Sequence, residues 1–211
     1  MTRILVTGGA GYVGSHTCQA LSNANHMPVV LDNLSTGHRS HVKWGPLVEG
    51  DIRDAALVAS TIAEYQIEAV IHFAASAYVG ESMRLPRDYF QNNVVGSLAL
   101  LDASLQAGVR HVVFSSTCAS YGHPLTLPID ESHRQLPVNP YGDSKLFIEK
   151  ALAWYGSAYG VRSVCLRYFN AAGADPTSTI GERHEPETHL IPLAIGAAMG
   201  ASERHHFWHR L

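Results

Sequence analysis

Residues 3–14 read RILVTGGAGYVG, and this stretch decides the fold. The compact run Arg3–Thr7, rich in β-branched residues, predicts a strand, and the pattern from residue 12 onward predicts a helix. Between them, Gly8, Gly11 and Gly14 are spaced three residues apart. Glycines at such positions permit a tight turn and let backbone amides at a helix N-terminus approach a pyrophosphate. The stretch therefore predicts a dinucleotide-binding strand–turn–helix unit.

An acidic residue closes the second predicted strand, residues 28–32 (PVVLD). Asp32 follows Gly14 by 18 residues, a position at which a carboxylate accepts hydrogen bonds from the adenosine ribose hydroxyls. A carboxylate there would repel a 2′-phosphate, so the sequence favours NAD over NADP. The alternative is a purely structural turn followed by a surface aspartate, and the agreement between the glycines and the acid favours the dinucleotide.

Short apolar runs alternate with helical patterns along the chain. This alternation is typical of a doubly wound α/β fold, with a parallel sheet and helices on both of its faces. The expected strands are residues 3–7, 28–32, 47–49, 69–73, 111–115 and 163–168, and the expected helices are residues 12–24, 55–65, 88–107 and 141–159. Residues 123–140 predict a loop near the site, which in such sheets lies outside the carboxyl ends of the strands.

Composition excludes several classes of protein. The 211 residues carry 15 basic and 18 acidic side chains, and the net charge of -3 argues against nucleic acid or an anionic membrane as the main partner. No apolar run of about 18 residues exists to span a membrane. The N-terminus enters a strand pattern without room for a signal peptide. Cys18, Cys118 and Cys165 are expected to be reduced core thiols of a cytoplasmic protein.

Tyr141 and Lys145 lie four residues apart at the start of a predicted helix, so their side chains share one face. A tyrosine that acts as a base near pH 7 needs a pKa well below its ordinary value of about 10. A nearby ammonium and the positive charge of a nicotinamide both favour the phenolate. The fifth predicted strand ends in Ser115-Ser116-Thr117, and one of these hydroxyls is expected to donate to the substrate or to the tyrosine.

In combination, these motifs resemble the extended short-chain dehydrogenases/reductases, and most closely the UDP-glucose 4-epimerases among them. The resemblance is collinear over residues 2–200 and rests on VTGGAGYVGSH, LDNLSTG, EGDIRD, VIHFAASAYVGES, NNVVGSL, FSSTCASYG, NPYGDSK, LRYFNAAGAD and HLIPLAIGAAMG. It implies an isomerase of galactose metabolism with bound NAD and a UDP-sugar substrate. Family members commonly pair through two helices, which here begin near Asp88 and Tyr141, so the resemblance also implies a homodimer.

The resemblance transfers roles to matching positions. It makes Tyr141 the catalytic base, Lys145 the lysine at the cofactor ribose and Thr117 the catalytic hydroxyl. Thr117 and Tyr141 also match substrate-contacting positions, as do Asn170 and His189. Tyr168, Phe169 and Asn170 together match the segment that contacts nicotinamide and substrate. The implied cofactor-binding residues are Gly8, Gly11, Tyr12, Val13, Gly14, Asp32, Asn33, Ser35, Thr36, Gly37, Asp51, Ile52, Phe73, Ala74, Ala75, Asn92, Tyr141, Lys145 and Phe169.

The implied reaction is a transient oxidation of the sugar at C4 with no net redox change. Tyr141 takes the proton of the 4-hydroxyl, NAD accepts the hydride, and the hydride returns to the other face of the turned sugar. Sugar-nucleotide 4,6-dehydratases share the scaffold but carry an Asp-Glu pair where this chain has Cys118-Ala119. Two further alternatives are an epimerase for another UDP-sugar and a truncated NAD-binding domain without turnover.

The resemblance stops after Gly200, and the end of the chain, ASERHHFWHRL, does not look like the end of a domain. One possible set of codons for HHFWHRL is CAT CAC TTT TGG CAC CGA CTA. Read one base later, they encode ITFGTD and begin a tyrosine codon, which is the continuation that the family has. We therefore expect residues 201–211 to be out of frame. His205, His206 and His209 have ligand-like spacing there, but no carboxylate or cysteine accompanies them, so no metal site is expected.

The expected organisation follows from these observations. Residues 1–170 form a Rossmann domain that binds NAD and carries the Tyr–Lys helix. Residues 171–200 form the beginning of a smaller, incomplete C-terminal substrate lobe, and residues 201–211 are an anomalous tail.

Overall fold

The computed structural model describes residues 1–184 and 187–200. The chain divides into two compact units, Met1–Ala171 and a second unit that begins at Ala172. The first unit contains the glycine turn, the predicted strands and the Tyr–Lys helix. The predicted out-of-frame tail and its three histidines lie outside the described residues.

Six parallel strands form one sheet in the first unit, which confirms the predicted α/β fold with a doubly wound parallel sheet. They are β1 (Arg3–Thr7), β2 (Met27–Asp32), β3 (Leu47–Glu49), β4 (Ala69–His72), β5 (His111–Ser115) and β6 (Arg162–Leu166). Their spatial order is β3-β2-β1-β4-β5-β6. Thr7 of β1 pairs with Leu31 on one side and with His72 on the other. The direction of winding reverses between β1 and β4, and the carboxyl ends of these strands flank the crevice where such folds bind ligands.

Helices connect the strands, and local sequence sets several of their ends. They are α1 (Tyr12–Asn23), α2 (Ala55–Tyr65), α3 (Val79–Ser82), α4 (Pro86–Tyr89), α5 (Gly96–Gln106) and α6 (Pro140–Tyr159), with α7 (Leu190–Ala198) in the second unit. The Asn139 side chain caps α6 by accepting a hydrogen bond from the Gly142 amide at 2.8 Å. Gly160 ends α6 in left-handed backbone, with φ of 73°.

The helix predicted over residues 88–107 is not one regular helix. It begins two residues earlier, because Pro86 lacks the N–H that the first helical turn leaves unpaired. A π-helical stretch, Phe90–Val95, then joins α4 to α5. Hydrophobic periodicity does not reveal such an insertion, since the flanking turns remain α-helical. β6 also ends earlier than predicted, at Leu166, where the next side chain, Arg167, turns to an ion pair with Glu149.

The core lies mainly on the face of the sheet that α2, α5 and α6 cover. It comprises the buried side chains Leu5, Val29, Leu31, Ile52, Val58, Ile62, Ile67, Val70, Leu100, Ala103 and Val109, and a second cluster of Leu101, Val112, Phe114, Ile148, Leu152 and Val161. On the opposite face, a smaller cluster of Ile4, Val6, Cys18 and Val30 packs α1 against β1 and β2. The most deeply buried strands are β1 and β2, in which every residue after the first is buried.

Candidate active site

The glycine turn is closed tightly enough to exclude side chains. Gly8 has φ of 72°, in the left-handed region, and a Cβ there would lie 2.6 Å from the Ala74 amide nitrogen. A Cβ on Gly14 would lie 2.2 Å from the Gly8 carbonyl oxygen. Helix α1 starts at Gly11 without a side-chain cap. The turn therefore presents the start of α1 to the crevice as bare backbone, which is the arrangement that accommodates a pyrophosphate.

Asp32 lies beside this turn at the end of β2. Its carboxylate accepts hydrogen bonds from the amides of Ala10 at 2.9 Å and Leu34 at 2.8 Å. Burial raises the pKa of Asp32, and these two hydrogen bonds oppose the rise. A Cβ on Gly37 would lie 3.0 Å from each carboxylate oxygen. Backbone contacts thus fix the carboxylate next to the glycine turn, as the ribose-binding role requires.

The predicted cofactor-binding residues that follow β2 and β3 differ in the contacts they make. The Asp51 carboxylate accepts hydrogen bonds from Arg53 Nε at 2.8 Å and Asn33 Nδ2 at 3.2 Å, and the contacts with Arg53 lower its pKa to about 2. The side chain of Ile52 is 5% exposed and belongs to the core. Ser35 and Thr36 are exposed near the end of β2, where the Ser35 amide donates to the Asn33 side chain at 3.0 Å. Asp51 and Asn33 therefore form a polar edge, whereas the Ile52 side chain serves packing.

The residues that follow β4 lie next to the glycine turn. The amides of Phe73 and Ala74 both donate to the Thr7 carbonyl, at 2.9 and 3.1 Å. Ala75, the next residue, is half-buried. These contacts place the predicted lining residues 73–75 at the crevice between β1 and β4.

The predicted cofactor residue Asn92 lies in the π-helical stretch. Its amide donates to Ser76 Oγ at 3.1 Å. The neighbouring Asn93, which the sequence interpretation missed, is buried and donates to the Ser76 carbonyl and to Ser144 Oγ, both at 3.0 Å. Because Ser144 lies between the Tyr–Lys pair, Asn93 ties the loop after β4 to the predicted catalytic helix. Two adjacent asparagines give no sequence signal that tells the buried one from the other.

Tyr141, Lys145 and Thr117 meet at the carboxyl end of β5, as their predicted roles require. Tyr141 is half-buried and forms a hydrogen bond with the Thr117 side chain. Lys145 is 3% exposed and donates through Nζ to the Ser115 carbonyl at 2.8 Å. Its Nζ lies 6.0 Å from the centre of the Tyr141 ring. The four-residue spacing thus brings both side chains of α6 to the same strand end, Tyr141 to Thr117 and Lys145 to Ser115.

Burial affects the protonation of both members of this pair. Burial raises the pKa of Tyr141, and the hydrogen bond from Thr117 opposes only part of the rise. Burial also lowers the pKa of Lys145 to about 7. Without a cofactor, burial thus raises the pKa of Tyr141 and disfavours the ammonium of Lys145. The predicted lowering of the tyrosine pKa, which includes the positive charge of a bound nicotinamide, stays a prediction.

The segment after β6 borders the same strand end. The Tyr168 hydroxyl forms a short hydrogen bond with Ser115 Oγ, and the Cys118 amide donates to the Tyr168 carbonyl at 3.2 Å. Phe169 is 66% exposed, and Asn170 is also exposed. The predicted nicotinamide and substrate positions 168–170 therefore follow β6 at the edge where Thr117 and Tyr141 lie.

The predicted substrate residue His189 lies in the second unit. It forms a short contact with Glu182, whose carboxylate also lies 3.3 Å from His184 Nδ1. With Glu187, these side chains make a group whose ligand atoms all lie within 4.8 Å of one another, a set that could hold a metal ion. The sequence interpretation missed this cluster because it weighed only the histidines of the tail. Pairing between imidazoles and carboxylates already accounts for the proximity of the four side chains.

Comparison with known proteins bears on this site. A model of the NAD dependent epimerase/dehydratase family matches residues 4–207. The chain belongs to this family. Its members include a UDP-glucose 4-epimerase of Rhizobium leguminosarum bv. trifolii, which is 56% identical over 197 residues, covering 93% of this chain and 60% of the relative. A UDP-glucose 4-epimerase of Rhizobium meliloti is 57% identical, covering 95% of this chain and 61% of the relative.

Solved structures of this epimerase family share the fold. The UDP-glucose 4-epimerase of Brucella ovis, solved in complex with NAD, superposes with a TM-score of 0.93 at 56% identity, covering 95% of this chain and 62% of that one. The UDP-glucose 4-epimerase of Bifidobacterium longum, in complex with NAD+ and UDP, gives a TM-score of 0.90 at 35% identity, covering 96% and 64%. The chain thus spans about 60% of the length of the epimerases that it matches. Within the described residues, no helix is long and apolar enough to cross a membrane.

Proposed function

We propose that this chain carries the cofactor-binding and proton-transfer residues of a UDP-glucose 4-epimerase, which interconverts UDP-galactose and UDP-glucose with bound NAD. The observation that carries the proposal is the convergence of Tyr141, Lys145 and Thr117 at one strand end of a sheet whose first turn excludes side chains. The names of relatives at 56 and 57% identity support the same activity.

The residues present fit NAD. The backbone packs so closely around Gly14 that a Cβ there would overlap the Gly8 carbonyl. Because no side chain stands at this position, the start of α1 is open to a pyrophosphate. Asp32 is held by two amides and has lone pairs left for ribose hydroxyls, while its charge would repel a 2′-phosphate. We infer that the remaining cofactor-binding residues are those predicted from the sequence, with Ile52 contributing through packing alone.

NAD, held by the glycine turn, Asp32 and Lys145, would supply the hydride acceptor and donor for C4 of the sugar. Tyr141 Oη takes the proton of the sugar 4-hydroxyl and returns it. Thr117, whose side chain is hydrogen-bonded to Tyr141, orients the 4-hydroxyl of the sugar. Lys145 holds the cofactor ribose and adds positive potential when it is protonated. Because the protein's own groups raise the pKa of Tyr141, we infer that the positive charge of the nicotinamide lowers it in the complex.

The chemistry beside Thr117 disfavours a dehydratase. A dehydratase needs an acid and a base to remove water, and this chain has Cys118-Ala119 at that place. Burial raises the pKa of the Cys118 thiol, so the thiol stays protonated near neutral pH and is a poor base. Another UDP-sugar remains the main alternative substrate, since a UDP-Glc/GlcNAc 4-epimerase of Campylobacter jejuni matches at 38% identity with a TM-score of 0.83.

We also propose a cytoplasmic homodimer. Phe147 and Trp154 on α6 are 50 and 74% exposed, and Phe90 and Val95 of the π-helical stretch are 40 and 45% exposed. Such apolar side chains on the two predicted pairing helices support association between copies. The three cysteines are free, which is consistent with a reducing compartment. The substrate lobe is proposed to begin near residue 171, with Asn170 and His189 as substrate contacts.

The activity is tested by incubating the purified chain with UDP-galactose and NAD and measuring UDP-glucose by chromatography. Conversion would support the proposal, and Tyr141→Phe should then lower turnover by about 10²–10⁴-fold with NAD affinity nearly unchanged, because only the acid–base hydroxyl is lost. Tyr159→Phe is the matched control, since this tyrosine is 54% exposed and lies far along α6. NAD binding without any conversion would instead favour a cofactor-binding domain without turnover, and full activity of Tyr141→Phe would contradict the assignment.

A further inference from the structure

Three residues of α6, each four positions after the last, contact three consecutive residues at the end of β5. Tyr141 bonds to Thr117, and Lys145 donates to the Ser115 carbonyl. Glu149, the third, accepts a short hydrogen bond from Ser116 Oγ. The first two pairs belong to the proposed active site. Glu149 continues the same row but has no role in the proposed chemistry.

The Glu149 carboxylate gathers charged and polar partners from two other segments. Arg167 donates to both carboxylate oxygens, through Nη2 to Oε2 at 2.6 Å and through Nε to Oε1 at 3.0 Å, in the forked geometry that binds carboxylates strongly. Gln135 Nε2 donates to Glu149 Oε2 at 3.0 Å. The side chain of Glu149 is 7% exposed and that of Arg167 is 24% exposed. The Glu149 cluster (Ser116, Gln135, Glu149 and Arg167) therefore joins β5, the loop before α6 and the end of β6 at one buried carboxylate.

Each strand-end member of this cluster is the chain neighbour of a proposed site residue. Ser116 precedes Thr117, and Arg167 precedes Tyr168. The two neighbours are themselves tied together, because the Cys118 amide donates to the Tyr168 carbonyl at 3.2 Å. A shift of the Glu149 carboxylate would therefore move the backbone on both sides of the proposed proton-transfer site.

Glu149 is ionised in this setting. Burial raises its pKa, but hydrogen bonds from Arg167, Ser116 and Gln135 outweigh burial and hold the pKa below its ordinary value. The Arg167 guanidinium also donates to the Tyr121 hydroxyl at 3.0 Å, so its other side is engaged as well. The pair is thus satisfied on both sides, which a buried ion pair needs in order to be rigid.

We propose that Glu149 is a positioning residue, whose carboxylate holds Ser116 and Arg167 and thereby sets Thr117 and Tyr168 against Tyr141. The expected effect on kcat rests on the proposed epimerase activity, whereas the expected effect on the backbone at the two strand ends does not. Buried ion pairs often add little net stability, so a role in geometry explains the cluster better than a role in stability does.

Glu149→Gln tests the proposal, because the glutamine side chain has nearly the same shape as the glutamate. Its NH2 group would face the Arg167 guanidinium, so two hydrogen-bond donors would meet where the carboxylate now accepts. We expect kcat to fall by about 10–100-fold, the scale of a small misplacement of reacting groups, with the KM for UDP-galactose and the affinity for NAD changed less than about threefold. Ser116→Ala, which removes only one hydroxyl, should lower kcat in the same direction by a smaller factor. Glu149→Gln/Arg167→Met should lose no more than the worse single variant, because the two residues act as one unit.

Ile148→Val is the matched control, since Ile148 is the buried neighbour of Glu149 on α6 but packs in the core. Hydrogen exchange measured by mass spectrometry gives a readout that does not need turnover. Glu149→Gln should speed exchange in peptides covering residues 115–121 and 165–170, including the Cys118 amide, and leave residues 3–7 unchanged. Ile148→Val should show neither the kcat loss nor this local pattern.

Two results would overturn the proposal: unchanged exchange at both strand ends in Glu149→Gln, or an equal kcat loss in Ile148→Val. If the unaltered chain converts no UDP-galactose, the proposed function fails on that result alone, and the exchange pattern still decides whether Glu149 holds the two strand ends.

Discussion

Lys145 should make the cofactor-free protein less stable than a protein with an apolar side chain at the same place. Its ammonium is 3% exposed, and burial lowers its pKa from 10.5 to about 7. At about 1.4 kcal/mol for each pKa unit, this lowering corresponds to a cost of about 5 kcal/mol for keeping the charge in the folded state at low pH. The bond from Nζ to the Ser115 carbonyl, 2.8 Å long, offsets part of the cost, by about 1–2 kcal/mol. Lys145→Met is therefore expected to raise the free energy of unfolding by about 2–3 kcal/mol at pH 6–7.

The pH dependence has a definite sign. The unfolded lysine keeps its proton up to about pH 10, whereas the folded one loses it above about pH 7. Above pH 7 the unfolded state therefore binds more protons than the folded state, and the wild-type protein gains stability as pH rises. The cost is fully present below pH 7 and shrinks by roughly 2 kcal/mol between pH 7 and pH 9. The advantage of Lys145→Met should shrink over the same interval.

Urea unfolding followed by circular dichroism at pH 6, 7, 8 and 9 measures this difference without NAD. Comparison of the variant with the wild type removes the titration of groups that both proteins share. Lys150→Met is the control, because Lys150 is exposed on the same helix and should change stability by less than about 0.5 kcal/mol. A Lys145→Met protein that is less stable than the wild type at pH 6, with a gap independent of pH, would refute the reasoning that burial disfavours this ammonium.

Two further predictions concern the cofactor site. Gly14→Ala should abolish detectable NAD binding in a fluorescence titration, because its Cβ would lie 2.2 Å from the Gly8 carbonyl oxygen and force the turn open. Gly80→Ala is the control, since a Cβ there would meet nothing within 4 Å. Normal NAD binding by Gly14→Ala would contradict the role of the glycine turn in binding the pyrophosphate. Asp32→Asn should weaken NAD binding by about 10–100-fold, since hydrogen bonds to a charged group contribute roughly 1.5–3 kcal/mol. It should also narrow the preference for NAD over NADP, and an unchanged ratio of the two affinities would remove Asp32 from the ribose-binding role.

The interrupted helix illustrates a limit of prediction from sequence. Apolar periodicity predicted one helix over residues 88–107, and the structure has helical backbone throughout this region. The π-helical stretch shifts the phase of that helix and turns Asn93 inward to bond to Ser144. The partners of Asn93, Ser76 and Ser144, are 17 and 51 residues away, so nothing near Asn93 in the sequence marks it as the buried member of the asparagine pair.

Glu149 shows the same limit inside the proposed site. The sequence shows that Tyr141, Lys145 and Glu149 follow one another at four-residue intervals. It does not show which side chains the Glu149 carboxylate contacts. Ser116, Gln135 and Arg167 reach it from separate segments. The pairing depends on how β5 and β6 lie side by side beneath α6.

Local patterns in the chain were enough to establish the fold class, the glycine turn, Asp32 and the Tyr–Lys pair, because turns, strand alternation and helical spacing depend on neighbours a few residues apart. Tertiary structure alone decided which side chains from distant segments meet, and which of them are buried. Burial in turn decided the direction of the pKa changes in the cofactor-free protein: it raises the pKa of Tyr141 and lowers that of Lys145. The physical reason is that the cost of a charge depends on its distance from water, which only the packing of the whole unit determines.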